Sequence, residues 1–406
     1  MNLNRTVAVV GQGYVGLPLA LAASQAGWQV IGLEIDETRL SLLQSGVSPV
    51  EDVSNEKLQE ALASKVYVPT SEIELISSCS IVILCVPTPI DAFHAPDLSL
   101  LESAIALVAK HLRPGTLLIN ESTSHVGTLR NFVRLVLAKS LDTDVDGIEL
   151  ASAPERIDPG NSVWKIENTP RLVSGLTTKA HQVAVDFYRS FTSTVIEVSS
   201  PEVAEMAKLL ENTFRLVNIS LVNELSILAE AFQIDMRDVV TAAASKPYGY
   251  MPFYPGPGIG GHCIPVDPYY LLYSLRENNL DSTILESSLE VNAARPGYVL
   301  KRALELAEGT MKILLCGVAY KSGVSDYRES AAEKLAAQAQ MRGIKIYWLD
   351  TLVDFWPFAP EWQGEEVDVV IFMVDQPEMQ DKAFAPNKPI LDCTGKLMTH
   401  PLVFHL

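Results

Sequence analysis

Three groups of residues in this 406-residue chain have types and spacings that can do chemistry. The first is Gly11-Gln12-Gly13-Tyr14-Val15-Gly16, between the apolar run Val7–Val10 and an Ala/Leu-rich stretch through Ala26. A strand, a glycine turn and a helix in that order form a phosphate cradle. Gly11 permits the tight turn, Gly13 lets a pyrophosphate approach the backbone, and Gly16 allows close helix–strand packing. The phosphate then rests on the helix N-terminus. Glu34 follows the next strand candidate, Val30–Leu33, where an acid would bind ribose hydroxyls. It disfavours a 2′-phosphate, so NAD is expected over NADP, although Arg39 lies nearby.

The second group is Lys208 and Asn212, at i and i+4, which share one face of a helix. Lys208 falls roughly opposite Leu210 on a helical wheel, so by itself the pair reads as a solvated face. The third is Gly260-Gly261-His262-Cys263-Ile264-Pro265-Val266-Asp267. A cysteine after a glycine-rich turn can sit exposed at a loop–helix junction, where a helix N-terminus would favour its thiolate. Asp267 is one turn further on if a helix begins there. His262 is given a structural role, because neighbouring positions point their side chains apart. Cys79, Cys85, Cys316 and Cys393 lie in apolar, strand-like settings and read as inert.

The elements that must position these residues follow from periodicity. Short apolar runs at Val7–Val10, Val30–Leu33, 81–86 and 117–120 alternate with helical stretches, as in a parallel sheet covered on both faces. From Pro201, the residues Val203, Met206, Leu210, Phe214, Val217, Leu221, Leu225, Leu228 and Phe232 recur at three- and four-residue spacing. They predict one helix of about 30 residues, about 45 Å long. The Gly/Pro-rich segment 254–261 reads as a shaped loop. Strand–helix alternation returns after Arg302, with strands at 311–318, 344–349, 367–374 and 389–391 and a helix at 329–342. The fold class is α/β, two Rossmann-like doubly wound domains joined by a long central helix. The expected boundaries are 1–200 for the dinucleotide domain, 201–300 for a helical middle and 301–406 for the second α/β domain.

Composition removes other classes. Lys plus Arg is 31 and Asp plus Glu is 49, a formal net charge of −18. That argues against nucleic acid and against a basic membrane-surface protein, but leaves room for a phosphorylated small molecule held by local cations and amides. No apolar run reaches the ~18 residues of a membrane span. The N-terminus enters a strand-like run directly, leaving no room for a signal peptide. Five scattered cysteines without a CxxC pair fit a reducing cytoplasm and give no zinc or other metal framework.

Together the residues resemble the UDP-glucose/GDP-mannose dehydrogenase family over nearly the whole chain. The matching pieces are GQGYVGLPLA (11–20), VPTPI (86–90), ESTSHVG (121–127), APERIDPG (153–160), EMAKLLENTFRLVNISLVNEL (205–225), GPGIGGHCIPVDPYYL (256–271) and GVAYKSGVSDYRES (317–330). The stretch 245–271 is most similar to UDP-N-acetylglucosamine 6-dehydrogenases of bacterial surface-polysaccharide pathways. The resemblance implies a four-electron oxidation of a sugar C6 alcohol to a carboxylate with two NAD+ in turn. A base, directly or through a water near Thr123, would take the hydroxyl proton, with Lys208 and Asn212 stabilising the oxyanion. Cys263 would capture the aldehyde as a thiohemiacetal and hold it as a thioester. Glu155 would serve as base for hydrolysis, and Asp267 would orient that water or tune Lys208.

The resemblance also assigns Gly11–Gly16, Glu34, Arg39, Thr88, Thr123 and Arg328 to the cofactor. It assigns Glu155, Arg156, Lys208, Asn212, Tyr254, Gly256, Gly258, Gly260 and Lys321 to the substrate. Lys321 is expected to end the first strand of the second α/β domain. That domain lacks GxGxxG and would take the UDP moiety; a bland alternative pairs Lys321 and Arg328 with Asp326 and Glu329. Two departures point away from glucose towards a bulkier 2-acetamido sugar. Pro159 stands where UDP-glucose members carry a second glutamate, and Pro247 where they carry an arginine given to the neighbouring subunit. Arg156 or Lys246 could replace that cation. The family forms homodimers through the long helix, here 201–233. UDP-N-acetylmannosamine, UDP-N-acetylgalactosamine and UDP-glucose are alternative substrates. A two-electron hydroxyacid dehydrogenase would not need Cys263, and a non-catalytic sensor would not need Lys208, Asn212, Cys263 and Asp267 together.

Overall fold

β-Branched and leucine-rich runs build two sheets. The computed structural model describes residues 5–141, 145, 147–161, 163–261, 263–307, 312–382, 388–397 and 400–406. It divides the chain into two compact units, Met1–Leu210 with Tyr269–Asn279, and Glu211–Pro268 with Leu280–Leu406.

The first unit holds β1 (Thr6–Val10), β2 (Gln29–Leu33), β3 (Tyr67–Thr70), β4 (Ile81–Leu84), β5 (Leu117–Asn120), β6 (Glu149–Ser152), β7 (Arg171–Gly175) and β8 (Val195–Glu197). Their order is β3-β2-β1-β4-β5-β6-β7-β8. The order reverses between β1 and β4, so the crevice beyond their carboxyl ends is where a doubly wound sheet takes its ligand. Strands β1, β4 and β5 are almost entirely buried, which explains their unbroken apolar runs. The expectation of a wholly parallel sheet needs one correction: β7 runs antiparallel to β6. The described part of the 153–170 connection has no crossover helix, so the chain returns beside the strand it left.

The second unit holds β9 (Lys312–Cys316), β10 (Lys345–Leu349), β11 (Val369–Phe372), β12 (Ile390–Asp392) and β13 (Val403–His405), all parallel, in the order β10-β9-β11-β12-β13. It is doubly wound too, and repeats a device of the first unit. The amide of Gly11 donates to the Leu33 carbonyl at 2.9 Å and that of Gln12 to Glu34 at 3.1 Å. Likewise Gly317 donates to Leu349 at 2.9 Å and Val318 to Asp350 at 2.8 Å. In each sheet an acid just past the second strand pins the turn after the first.

The long helix runs Pro201–Ala231, 31 residues. Pro201 suits the first helical position, and the Ser200 hydroxyl accepts the Val203 amide at 3.4 Å. Its apolar stripe is not its buried face. Leu210 is 57% and Leu228 55% exposed, whereas Lys208 is 5% and Asn212 1% exposed. No described helix is long and apolar enough to cross a membrane.

Candidate active site

The glycine turn is shaped by steric limits that can be read atom by atom. Gly11 has φ +91°, and a Cβ there would lie 2.5 Å from the Cys85 carbonyl oxygen. A Cβ at Gly16 would lie 1.8 Å from the Gly11 oxygen, while one at Gly13 would meet nothing within 4 Å. Gly11 and Gly16 thus close the turn, and Gly13 leaves open space over the backbone at the start of the helix Gly16–Gln25, as a pyrophosphate requires. Tyr14 and Val15 bridge into that helix. Gln12 went unnoticed in the sequence. It is fully buried, donates to the Val9 carbonyl at 2.8 Å and accepts the Tyr67 hydroxyl at 2.8 Å.

Glu34 is buried and accepts the amides of Gln12, Ile35 and Asp36 at 3.1, 2.9 and 3.0 Å. Arg39 approaches the same carboxylate at 3.3 Å. The acid expected to meet a ribose therefore also fastens the glycine turn. The turn fits a dinucleotide, with Gly13 as the open cradle and Glu34 as the acid at its edge.

Elsewhere in the first unit the structure brings together four of the expected residues. The Thr88 hydroxyl donates to the Thr123 carbonyl at 2.6 Å, joining the loops after β4 and β5. The Tyr270 hydroxyl donates to the Thr88 carbonyl at 2.7 Å. Lys208 stands 3.5 Å from Glu155, both side chains buried. The second Glu155 oxygen, Oε1, is buried with no hydrogen-bond partner among the described residues. Behind Glu155 lies a fully buried cluster that sequence gave no signal for. Arg171 pairs with Glu121 at 2.7 Å, Tyr188 donates to Glu121, and the Glu155 amide donates to the Glu121 carbonyl at 3.3 Å. Burial raises the Glu121 carboxyl while Arg171 pulls it down. Arg156 turns aside, donating to the Pro170 carbonyl at 2.7 Å.

In the second unit Asn212 donates to Asp267, which is buried, and Arg215 donates to the Asn212 side-chain oxygen. Cys263 is half-buried in the turn leading to the helix Asp267–Glu277, whose first amide donates to the Cys263 carbonyl at 2.8 Å. The Cys263 carbonyl also accepts the Val266 amide at 3.1 Å, so the helical turns open on Cys263, with Asp267 one turn further on. His262 lies outside the described residues. Burial pushes the Cys85, Cys316 and Cys393 thiols up, and that of Cys79 up to about 11. Those four are inert at neutral pH.

The 254–260 loop is clamped from three helices. The Asn223 side chain accepts the Gly256 amide at 2.9 Å, Arg295 donates to the Gly256 carbonyl at 2.9 Å, and Asn292 accepts the Ile259 amide at 2.7 Å. Arg237 donates to the Pro255 carbonyl at 2.9 Å and lies over the Tyr254 ring, 5.8 Å from its centroid. The loop was expected to offer its amides to a ligand; those of Gly256 and Ile259 are taken by the protein. Gly258 has φ +123°, and a Cβ at Gly260 would lie 2.7 Å from the Glu329 carbonyl oxygen. Lys321 does not end β9, which stops at Cys316; it follows in the loop, its ammonium 5.8 Å from the Tyr320 ring. Gly317, with φ +79°, turns the chain directly after Cys316. Arg328, assigned to the cofactor, pairs with Asp326 at 2.5 Å, as the bland alternative had it. No group of His, Cys, Asp and Glu among the described residues could hold a metal ion.

Against known proteins, residues 5–192 match the NAD binding domain, and residues 202–294 the central domain, of the UDP-glucose/GDP-mannose dehydrogenase family. This chain belongs to that family. It is an NAD-dependent dehydrogenase of nucleotide sugars, oxidising a UDP-sugar at C6. It is 32% identical to the UDP-N-acetyl-D-mannosamine dehydrogenase of Pyrococcus horikoshii over 98% of this chain and 94% of that one. It is 33% identical to the UDP-N-acetyl-D-glucosamine 6-dehydrogenase of Salmonella typhi, covering 86% of this chain and 82% of that one. The solved structure of a UDP-D-ManNAc dehydrogenase from Pyrococcus horikoshii superposes with a TM-score of 0.87 at 29% identity, covering 98% of each chain. The dehydrogenase's two doubly wound sheets are thus a shared architecture.

Proposed function

We propose that the enzyme converts UDP-N-acetylglucosamine to UDP-N-acetylglucosaminuronate through covalent catalysis at Cys263. The observation that carries the catalytic reading is the burial of Lys208 and Asn212 beside Glu155 and Asp267, respectively, on a helix whose apolar stripe faces outward. A solvated helix face would not bury a lysine. Bound NAD+ supplies the oxidant, accepting two electrons as hydride in each of two rounds. Lys208 and Asn212 stabilise the alkoxide formed as the C6 hydroxyl loses its proton to a base or to a water near Thr123. The Cys263 sulfur adds to the aldehyde carbon, giving a thiohemiacetal whose carbon carries a removable hydride. Loss of that hydride leaves a thioester. Water activated by Glu155 attacks it, the C–S bond breaks, and carboxylate and free thiol result. Asp267, hydrogen-bonded to Asn212, orients that amide.

Pro159 and Pro247 support a 2-acetamido sugar over glucose. A second reading is UDP-N-acetylmannosamine, favoured by the Pyrococcus horikoshii relative, which matches nearly the whole chain. Purified enzyme given NAD+ and UDP-GlcNAc, UDP-ManNAc, UDP-GalNAc or UDP-glucose in parallel tests both parts. UDP-GlcNAc oxidised fastest, with two NADH per sugar and Cys263→Ser stalled before the acid, supports the proposal. Preference for another sugar reassigns the substrate. One NADH per sugar with an indifferent Cys263→Ser sinks the thioester.

The same helix supports a homodimer. Met206, Leu210, Phe214, Leu221 and Leu228 are all exposed on one stripe, and Phe232, just past the helix end, is exposed too. A contiguous apolar face of that length marks an association surface, and a second copy of the same helix supplies a matching apolar face.

A further inference from the structure

Glu205 has no part in the chemistry above, yet it is 2% exposed and its carboxylate is fully engaged. Oε2 accepts the Gly127 amide at 2.6 Å and Oε1 the Leu129 amide at 2.9 Å. These amides belong to the turn in which the 121–128 loop, carrying Thr123, enters the helical segment that starts at Leu129. The Leu129 amide is one of the donors a helix N-terminus leaves unpaired. Glu205 also lies one helical turn before Lys208, on the same buried side. The loop is tied at its other points by Thr88 to the Thr123 carbonyl and by Ser274 to the Val126 amide at 3.2 Å. Glu205 thus links this loop to the turn of helix bearing Lys208, beside the Arg130–Glu202 pair at 2.7 Å.

We propose that Glu205 is a positioning residue for alcohol oxidation, holding the Thr123 loop in register with Lys208. This rests on the reading of Thr123 and Lys208 as groups of that step. The carboxylate is also a pH-sensitive anchor. Burial raises it to about 7, against the pull of the two amides. The charged groups facing it are Glu202 on its own helix and Arg130 on the following helix, which pair at 2.7 Å. Because burial outweighs the two amides, the anchored carboxyl holds its proton more tightly than a released one would, so ionisation loosens the anchor as pH rises towards 7.

The test is Glu205→Gln, in which an amide replaces one acceptor oxygen with a donor. Alcohol oxidation should fall about tenfold or more in kcat, with KM for sugar and NAD+ little changed, since sub-ångström misplacement costs rate rather than binding. Oxidation of supplied UDP-sugar 6-aldehyde, which relies on Cys263, should be nearly unaffected. The ratio of wild-type to variant kcat should fall as pH increases through about 7. Unchanged kcat, equal loss on alcohol and aldehyde, or a flat ratio would overturn the proposal. If the variant does not fold, amide exchange at Gly127 and Leu129 in the wild-type enzyme decides. Protection falling as pH rises through neutral supports the anchor, and constant or rising protection overturns it. An indifferent Cys263→Ser variant would remove the thioester while leaving a selective effect of Glu205→Gln on the alcohol intact, so the two failures are distinguishable.

Discussion

The Lys208 ammonium stands 3.5 Å from the Glu155 carboxylate, and water is nearly excluded from both. A buried pair of this kind is weak evidence for stability, because desolvation offsets most of the attraction. Removing one partner, however, strands the other. Lys208→Ala should cost about 3–5 kcal/mol of folding stability by leaving Glu155 uncompensated. Turnover should fall by about 10²–10³ through loss of an oxyanion-stabilising charge. Lys208→Met combined with Glu155→Gln should recover much of the stability and none of the turnover. Denaturant melts beside NADH production separate the two effects; a double variant no more stable than Lys208→Ala would refute the pairing argument.

The glycine turn gives a pair of opposite outcomes. At Gly16 a methyl group would enter the Gly11 carbonyl oxygen, so Gly16→Ala must move backbone, costing about 1–3 kcal/mol or more. At Gly13 a methyl group enters open space. Gly13→Ala should therefore melt like wild type yet bind NAD+ more weakly, because the methyl occupies the pyrophosphate's approach. Calorimetric melting and NAD+ titration of the two variants check this. Weakened NAD+ binding in neither would remove the turn from the cofactor site.

That turn was legible in the sequence because its tightest constraint is local: a Cβ at Gly16 would meet the carbonyl oxygen of Gly11, in the same short motif. The long helix was legible for the same reason, since periodicity of apolar residues is a local property. Which of its faces is buried was not. Lys208 and Asn212 are buried by Glu155 and Asp267, which lie more than fifty residues away in sequence. Gln12, Arg171, Glu205 and Arg295 were missed on the same ground, each being defined by a long-range acceptor or donor. Glu205 alone left a trace, an acid three residues before Lys208 among apolar neighbours.

Glu205 also makes stability depend on pH with a definite sign. Its folded value, about 7, is raised above the ordinary carboxyl value of 4.5. The folded state therefore holds its proton more tightly than the unfolded chain does. That contribution is fully present below pH 4.5 and is lost as pH rises towards 7. Wild-type stability measured relative to Glu205→Gln should fall across that window and level off above it. Urea melts at intervals from pH 5 to 8 read the difference directly; a difference that grows with pH would contradict the burial argument.

The outward stripe of the long helix makes the last prediction. Leu210 is 57% and Leu221 52% exposed, both on the helix Pro201–Ala231. An isolated chain would keep this face in water, at roughly 25 cal/mol for each Å² of apolar area left uncovered. In the proposed homodimer a second copy would cover it with the same residues, so one substitution would act on both sides of a twofold interface. Leu210→Asp with Leu221→Asp places four carboxylates across that seam and should convert dimer to monomer in sedimentation. Neither residue contributes to the buried face that carries Lys208 and Asn212, so the monomer should retain its fold by circular dichroism. A wild-type enzyme sedimenting as monomer, or a doubly substituted one remaining dimeric, would show that this stripe is not the interface.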